Sequence, residues 1–420
     1  MKFSKQWYIL LLSVVLVFSL QGCLGISEDS SSFQNTATGK DGQPIQVNMA
    51  QQAKFTGKIY FTLNRNLYIL GGNLKLTQIT QGMDVRDPAV SPDGKWVAFI
   101  QRYKDYSNLV YMSTNSLDHT IHTIVTGSGH YTPQGNGANT YYWFAQPAWS
   151  ADSSHLMFLS DLQKNFYWNS LGGVYANAYF LDMQVFSLPI DVSLTAQQAM
   201  DQAQPIGYAV FGDGGNRDPS YRPGHPEQVM YTTFQYDPTG DKQVVQIVLE
   251  DTTLVTGVRR QQYHPGNDPS VPLTPDIPDL VNFQPAFSPD GNTIAYVQRV
   301  NTNTNTTSLY TIPVAEGVAN DPNDPAFNPT ASANLQKALI PYSTKSVKLL
   351  ANSFVSQPVW SPDGKQLLYY GYQNDKFDIW LATLNNDPKT DKVSMKPDSQ
   401  VQLMQSNGQL DGDSRASWAP

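Results

Sequence analysis

Gln284-Pro285-Ala286-Phe287-Ser288-Pro289-Asp290-Gly291 is one of the two most complete forms of a phrase that recurs along the chain. The other is Gln357-Pro358-Val359-Trp360-Ser361-Pro362-Asp363-Gly364. Looser copies occur at Asp87-Pro88-Ala89-Val90-Ser91-Pro92-Asp93-Gly94, at Gln146-Pro147-Ala148-Trp149-Ser150-Ala151-Asp152 and at Asp218-Pro219-Ser220-Tyr221-Arg222-Pro223-Gly224. A truncated copy, Arg415-Ala416-Ser417-Trp418-Ala419-Pro420, ends the sequence with Ala416 in place of the first proline. Each phrase reads as a short strand with one large inward residue, followed by a tight turn. In that turn proline presets φ, aspartate bonds the local backbone and glycine takes positive φ.

A hairpin must follow such a turn, and apolar runs do follow: Trp96 to Ile100, Leu156 to Leu159, Val229 to Tyr231, Ile294 to Val297 and Leu367 to Tyr370. They are apolar on both faces, as expected of strands buried between two neighbouring sheets. The anchors Pro88, Pro147, Pro219, Pro285, Pro358 and Ala416 are 59, 72, 66, 73 and 58 residues apart. That is room for about four strands per unit, the size of a propeller blade. The last anchor has no chain left after it, whereas Lys58 to Thr62, Asn66 to Leu70 and Leu74 to Thr80 read as strands with no anchor before them. Joined, the two halves make one blade. The fold class predicted is all-β, a six-bladed β-propeller closed by the N-terminal strands and the C-terminal strand. Inserts of helical character are expected over 194 to 204 and 331 to 339.

The repeated phrase resembles the TolB-type propeller repeat over about residues 55 to 420. Similar repeats occur in the propellers of prolyl oligopeptidases and in some pectin-fragment lyases, so the resemblance implies a fold far more than a function. Family members carry a further α/β domain where this sequence has only a polar stretch.

Composition agrees with an all-β reading: 420 residues, 40% hydrophobic, 12% aromatic and only 15% charged, with 29 Gly and 28 Pro to serve the turns. Residues 1–22 read as a signal peptide, with Lys2 and Lys5 ahead of an apolar run from Trp7 to Leu20 that is short for a membrane span. The run ends in Leu20-Gln21-Gly22-Cys23, which resembles the bacterial lipobox, with Gln21 a departure from its usual small residue. Cys23 is the one cysteine of the chain, so disulfides, zinc-cysteine clusters and thiol catalysis are excluded and acylation is its expected use. Two or more acyl chains, at about 0.8 kcal/mol per buried methylene, make a stable anchor. Residues 23–54 are expected to be a flexible tether, and residues 55–420 the propeller. The predicted location is extracytoplasmic and lipid-anchored to a membrane. Leu24 is not the aspartate that retains some lipoproteins at an inner membrane.

A net charge of −8, made more negative by loss of Lys2 and Lys5, argues against nucleic acid as partner. The turn residues Asp93, Asp152, Asp290 and Asp363 read as structural, because equivalent positions on a ring cannot converge on one bond. No Gly-x-Ser-x-Gly elbow is present, His119 and His122 are the one close histidine pair, and Asp411 and Asp413 read as a turn before the closing strand. No cofactor or metal is predicted.

The informative positions immediately precede each anchor, where the chain passes from one blade to the next at the mouth of a central channel. Arg86, Arg217 and Arg415 would point a cationic cluster there, beside Gln146, Gln284 and Gln357. Tyr142, Trp143 and Phe144, with Phe283 and Phe354, would add an aromatic rim. Arginines and aromatics together fit a protein interface or a glycan. The competing expectation is that the arginines pair with Asp87, Asp218 and Asp413 and the aromatics pack under loops. The functional expectation is a monomeric, non-enzymatic module that binds an envelope or extracellular protein or glycan. The alternative is a lyase or hydrolase acting on a polysaccharide. The aromatic stretch Asn165 to Asn169 was a further candidate contact loop.

Overall fold

The computed structural model describes residues 33–38, 42–115, 117–131, 139–162, 182–191, 193–207, 214–237, 239–252, 270–300, 306–315 and 333–420. Cys23, the expected signal peptide and the aromatic stretch Asn165 to Asn169 lie outside the described residues. Strand accounts for 56% of the structure and helix for 6%, which makes this a mostly-β protein.

The doubly apolar runs owe their pattern to sheets packed on both sides. Leu156 and Phe158 enter one buried cluster with Ala98 and Ile100, while Met157 and Leu159 enter another with Val229 and Tyr231. Met230 then meets Ile294 and Tyr296, whose alternates Ala295 and Val297 meet Leu367 and Tyr369. Leu368 and Tyr370 share a cluster with Ile59 and Phe61, and Tyr60 packs with Val97 and Phe99. Each second strand thus lies between two clusters, and the sixth cluster returns to the sheet that began the series.

Each anchor phrase forms the first strand of its sheet. Val85–Val90, Trp96–Arg102, Ser107–Ser113 and Ile121–Thr126 make one antiparallel sheet in sequence order. Phe144–Trp149, His155–Ser160, Gln184–Pro189 and Gln204–Pro205 make the next. Asn216–Arg222, His225–Tyr236 and Gln243–Asp251 follow, and a parallel bridge at Val245↔Val281 joins them to Leu280–Phe287, Thr293–Val300, Thr307–Pro313 and Val347–Ser353. Val355–Trp360, Gln366–Gln373, Lys376–Asp387 and Val401–Gln405 form the sheet after that. The C-terminal strand Ser417–Ala419 pairs antiparallel with Lys58–Leu63, with Ser417 opposite Tyr60 and Trp418 opposite Ile59. The two expected helical inserts are present as Ala196–Asp201, started by a Thr195–Gln198 capping box, and Ala333–Lys345.

The turn after each first strand is held by its serine and aspartate. The Ser361 hydroxyl donates to Asp363 Oδ1 at 2.7 Å and accepts from Gln366 N–H at 2.8 Å, while Lys365 N–H donates to Asp363 Oδ1 at 3.1 Å. The same bonds recur at Ser91/Asp93, Ser150/Asp152 and Ser288/Asp290. In the third copy Arg222 replaces the serine, and its Nε donates to the Gly291 carbonyl in the next turn at 2.8 Å. These aspartates are structural, as their repetition implied.

Hydroxyl donors give the turns a pH signature. The Ser150 and Ser154 hydroxyls pull the Asp152 carboxyl down to about 2, and the Ser91 and Ser361 hydroxyls lower Asp93 and Asp363. A carboxyl depressed by folding adds stability above its unfolded value of about 4, and that contribution disappears as pH falls through the folded value. Thermal stability should therefore drop between about pH 4 and pH 2, and the Asp152→Asn variant should show a shallower drop. An identical acid profile for the two proteins would contradict this account.

One expectation fails. Polar composition predicts a flexible tether over 23–54, yet its described residues 33–38 and 42–54 are ordered. Phe33–Thr38 and Pro44–Asn48 form a hairpin, and the second strand pairs with Val401–Gln405, placing Gln46 opposite Gln405 and Val47 opposite Met404. Ile45 and Val47 are buried in the cluster of Leu368, Tyr370 and Leu403. The Asn48 amide donates to the Gln402 carbonyl at 2.9 Å. A period of two, Ile45 and Val47 alternating with Gln46 and Asn48, was enough to place a strand on an open sheet edge. This N-terminal strap therefore widens one sheet before the chain enters its neighbour as Lys58–Leu63.

Candidate functional site

All six phrases converge on one central cavity. Pro88, Pro147, Pro219, Pro285, Pro358 and Ala416 ring a funnel of roughly 400 Å³ that opens toward the Ser-Pro-Asp-Gly turns. Asp218, Gln284, Gln357 and Arg415 line its inner end.

Those floor residues belong to a belt of hydrogen bonds. The Asp87 carboxylate accepts from Gln146 N–H at 3.1 Å, Gln146 Oε1 from Asp218 N–H at 2.6 Å, Asp218 Oδ2 from Gln284 N–H at 3.0 Å, and Gln284 Oε1 from Gln357 N–H at 2.9 Å. At the other side Asp87 holds the last phrase: its Oδ1 accepts from Arg415 N–H at 2.9 Å and its own N–H donates to Ser414 Oγ at 2.8 Å. Reaching the next phrase takes an unusual backbone. Asp87, Gln146, Asp218, Gln284 and Gln357 all adopt φ between 50° and 57°, and the register slips there in each sheet, for example between Arg86 and Ala89. The proline after the anchor residue has no N–H, so the slip leaves no donor stranded.

The choice between Asp and Gln follows from donor counts. A carboxylate offers two acceptor oxygens, whereas an amide offers one acceptor and one donor group. Asp87 receives two N–H groups, and Asp218 receives Gln284 N–H, Thr232 Oγ1 and the Gln146 amide. Gln146 meets one donor and one acceptor, both from Asp218. Burial pushes the Asp87 carboxyl up, opposed by the Arg415 charge and by the N–H groups of Arg415 and Gln146.

The predicted cationic cluster does not form. Arg86 is buried among acids, with Nε 2.9 Å from Asp84 and Nη1 3.0 Å from both Asp411 and Asp413. Burial works against its charge, but Asp411, Asp413 and Asp84 outweigh that and raise its pKa. Arg217 donates to the Asn216 carbonyl at 2.6 Å and lies 5.8 Å from the Phe234 ring centre; burial lowers its pKa. Arg415 turns into the funnel floor, donating to the carbonyls of Pro147 at 3.1 Å and Pro219 at 3.3 Å. Gln146, Gln284 and Gln357 are belt members. Arg86, Arg217 and Arg415 thus take three separate roles, nearer to the pairing expectation than to a shared ligand site, although Arg86 pairs with Asp84, Asp411 and Asp413 and not with Asp87.

The aromatic rim is mostly packing. Phe144 and Tyr142 are buried in the cluster of Phe158 and Phe186, and burial, then Asp161, pushes the Tyr142 phenol up to about 12. Phe283 packs beside Val355 and Trp360, and Phe354 lies 5.0 Å from Tyr372 and 5.9 Å from Phe377, ring to ring. Trp143 is half-buried, its N–H donating to Asp161 at 2.8 Å.

On the side of the belt away from the funnel, the structure adds residues that sequence reading missed. Tyr103, Tyr106 and Tyr141 stack in a column with ring centres 4.5 Å and 6.0 Å apart, and its end members stay 39% and 41% exposed. Arg102 and Asp413 lie nearby, 3.8 Å apart, with side chains 45% and 64% exposed. The signal was a Tyr-Lys-Asp-Tyr turn between two strands, whose approach to Tyr141 depends on tertiary packing.

Hydrolytic chemistry finds little purchase among the described residues. Ser154, His155 and Asp152 are in contact, but the Ser154 hydroxyl donates to Asp152 at 2.7 Å, so the His155 Nδ1 at 2.8 Å must donate to the serine and does not serve as its base. His122 stacks on Tyr111 at 5.1 Å, and no group of three His, Cys, Asp or Glu residues suited to a metal occurs among the described residues. Asp411 instead caps a turn, accepting from Arg65 N–H at 2.7 Å.

No protein-family model matches the sequence, and no curated protein matches it. Solved structures do resemble it. TolB from Acinetobacter baumannii superposes with a TM-score of 0.50 at 14% identity, covering 87% of this chain and 67% of that one. A putative TolB from Agrobacterium tumefaciens gives 0.44 at 12%, covering 87% and 98%, and an oligogalacturonate lyase in complex with manganese gives 0.44 at 10%, covering 86% and 82%. At such identities the likeness speaks for fold and not for activity, and the fold is that of a TolB-like β-propeller.

Proposed function

We propose that this chain is a lipid-tethered, extracytoplasmic, six-bladed propeller that works as a non-enzymatic binding module for a protein or glycan partner. Six phrases, six clusters in cyclic succession and the pairing of Ser417–Ala419 with Lys58–Leu63 support a closed ring of six blades. The belt lies at the inner end of the funnel, and the surface on its other side is the one read here as the capture face.

The observation that carries the binding reading is the exposed column of Tyr103, Tyr106 and Tyr141 beside Arg102 and Asp413 at that mouth. Rigid, amphipathic rings next to paired charges suit a hot spot, for a partner surface or a sugar face. In-cell photocrosslinking should trap a partner with the wild-type chain, and the Tyr103→Ala/Trp143→Ala double variant should lose at least tenfold of that yield while staying folded. Undiminished capture by the folded variant would sink the mouth as the site.

Anchoring is read from Cys23. The Cys23→Ser variant is expected to move from the membrane fraction to the soluble extracytoplasmic fraction with its fold intact, as judged by its melting curve. Retention on the membrane would refute acylation as the tether.

A further inference from the structure

We infer that the lipid anchor holds the propeller by the funnel-side rim of one sheet, so that the opposite mouth faces away from the membrane. The inference rests on the lipoprotein reading and adds a direction to it. Only residues 24 to 32 separate Cys23 from the ordered hairpin, at most about 35 Å of extended chain. The point of attachment then decides which surface the bilayer meets.

Strand register locates that point. Phe33 lies opposite Asn48 and Thr38 opposite Pro44, so the first strand of the strap runs away from the end of the sheet where Asn48 lies. Beyond Asn48 the chain continues to Lys54, whose carbonyl accepts from the Gln366 amide at 3.1 Å. Gln366 follows directly on the Ser361 to Lys365 turn and pairs with Thr383. The residues before Phe33 therefore leave the sheet toward its turn end, the end onto which the funnel opens. The hairpin Leu384↔Met395 projects from that same end, with Lys389 and Lys396 exposed on it. Asp387, Asp391 and Asp398 lie among those lysines, so covalent attachment and not charge sets the direction.

At the other end of the sheet lies the hairpin Gln373↔Lys376, on the mouth side. Eight strand residues from Gln366 to Gln373 put the two ends about 25 Å apart, and Lys104, in the turn beside Tyr103, is likewise on the mouth side. A bilayer drawn to the turn end leaves Tyr103, Tyr141 and Arg102 directed into the aqueous compartment.

Because Cys23 would carry lipid, a cysteine introduced elsewhere is the one free thiol of the full-length protein. A bimane probe on Lys365→Cys and Lys389→Cys, in liposomes of phosphatidylethanolamine and phosphatidylglycerol with spin-labelled headgroups, should be quenched at least twofold more than on Gln373→Cys and Lys104→Cys. Insertion of about twenty Gly/Ser residues between Ser31 and Ser32 should abolish that difference while the protein stays bound. Equal or reversed quenching, in a protein that Cys23→Ser does release, overturns the inference and leaves the lipoprotein reading intact. Membrane retention of Cys23→Ser overturns both.

Discussion

Replacing Asp87 by alanine is expected to lower the unfolding free energy by about 2–5 kcal/mol, far more than the same change at Gln357. Asp87 is buried and takes N–H groups from Gln146 and from Arg415, positions 59 and 328 residues away. Truncation leaves both donors without an acceptor in a place water does not reach, at a cost of about 1–3 kcal/mol each. Asn should not restore the loss, since the two N–H groups reach different oxygens of Asp87 and an amide would turn its NH₂ toward one of them. Gln357 is the control. Its N–H donates to Gln284, and among the described residues its side chain carries no belt bond, because Arg415 N–H turns to Asp87 instead. Gln357→Ala should therefore cost less than about 1 kcal/mol in a urea titration. Comparable losses at the two positions would refute the belt as the source of rigidity.

Arg86→Ala is the second large effect, expected at about 3 kcal/mol near neutral pH. The variant leaves Asp84, Asp411 and Asp413 facing one another without their cation, and only Asp413 is well solvated. Lysine should recover little, because one ammonium cannot reach three carboxylates in the fork geometry of a guanidinium. The defect should also depend on pH in a defined direction. Acid removes negative charge from a crowded acidic cluster and so relieves its repulsion, and the folded variant should gain stability relative to wild type as pH falls. The difference between wild type and variant should thus be smaller at pH 5 than at pH 7.5. A difference that grows on acidification would show that Arg86 acts by packing alone.

Local features of this fold were legible in the sequence because their partners are local. The Ser-Pro-Asp-Gly phrase closes its hydrogen bonds within five residues, as at Ser361 and Gln366, and its repetition marked a mostly-β protein of recurring hairpins. The doubly apolar runs reported sheets on both sides. The role of the residue before each proline was not legible. Gln146, Gln284 and Gln357 look like ligand-binding residues at a channel mouth until the acceptor of each N–H is seen, and those acceptors lie 59 to 73 residues away. Arg86 was misread for the same reason, since Asp411 and Asp413 come from the opposite end of the chain. The strap was hidden by composition: Ile45 and Val47 are two apolar residues in a polar stretch, too few to register unless an edge strand is waiting for them.

The belt also sets an order of events during folding. Its bonds join residues 59 to 73 positions apart, and the pair at Asp87 joins the strand Val85–Val90 to Ser414 and Arg415, 327 and 328 positions further along the chain. The five residues at positive φ gain nothing from their conformation until the next phrase arrives. Chain closures of this span are slow to form. A molecule in which Ser414 and Arg415 have yet to arrive would hold Asp87 with half its donors and keep an open edge along Lys58–Leu63. The finished fold should then lock late and reopen rarely, a protein whose lifetime is governed by its unfolding rate more than by its equilibrium stability.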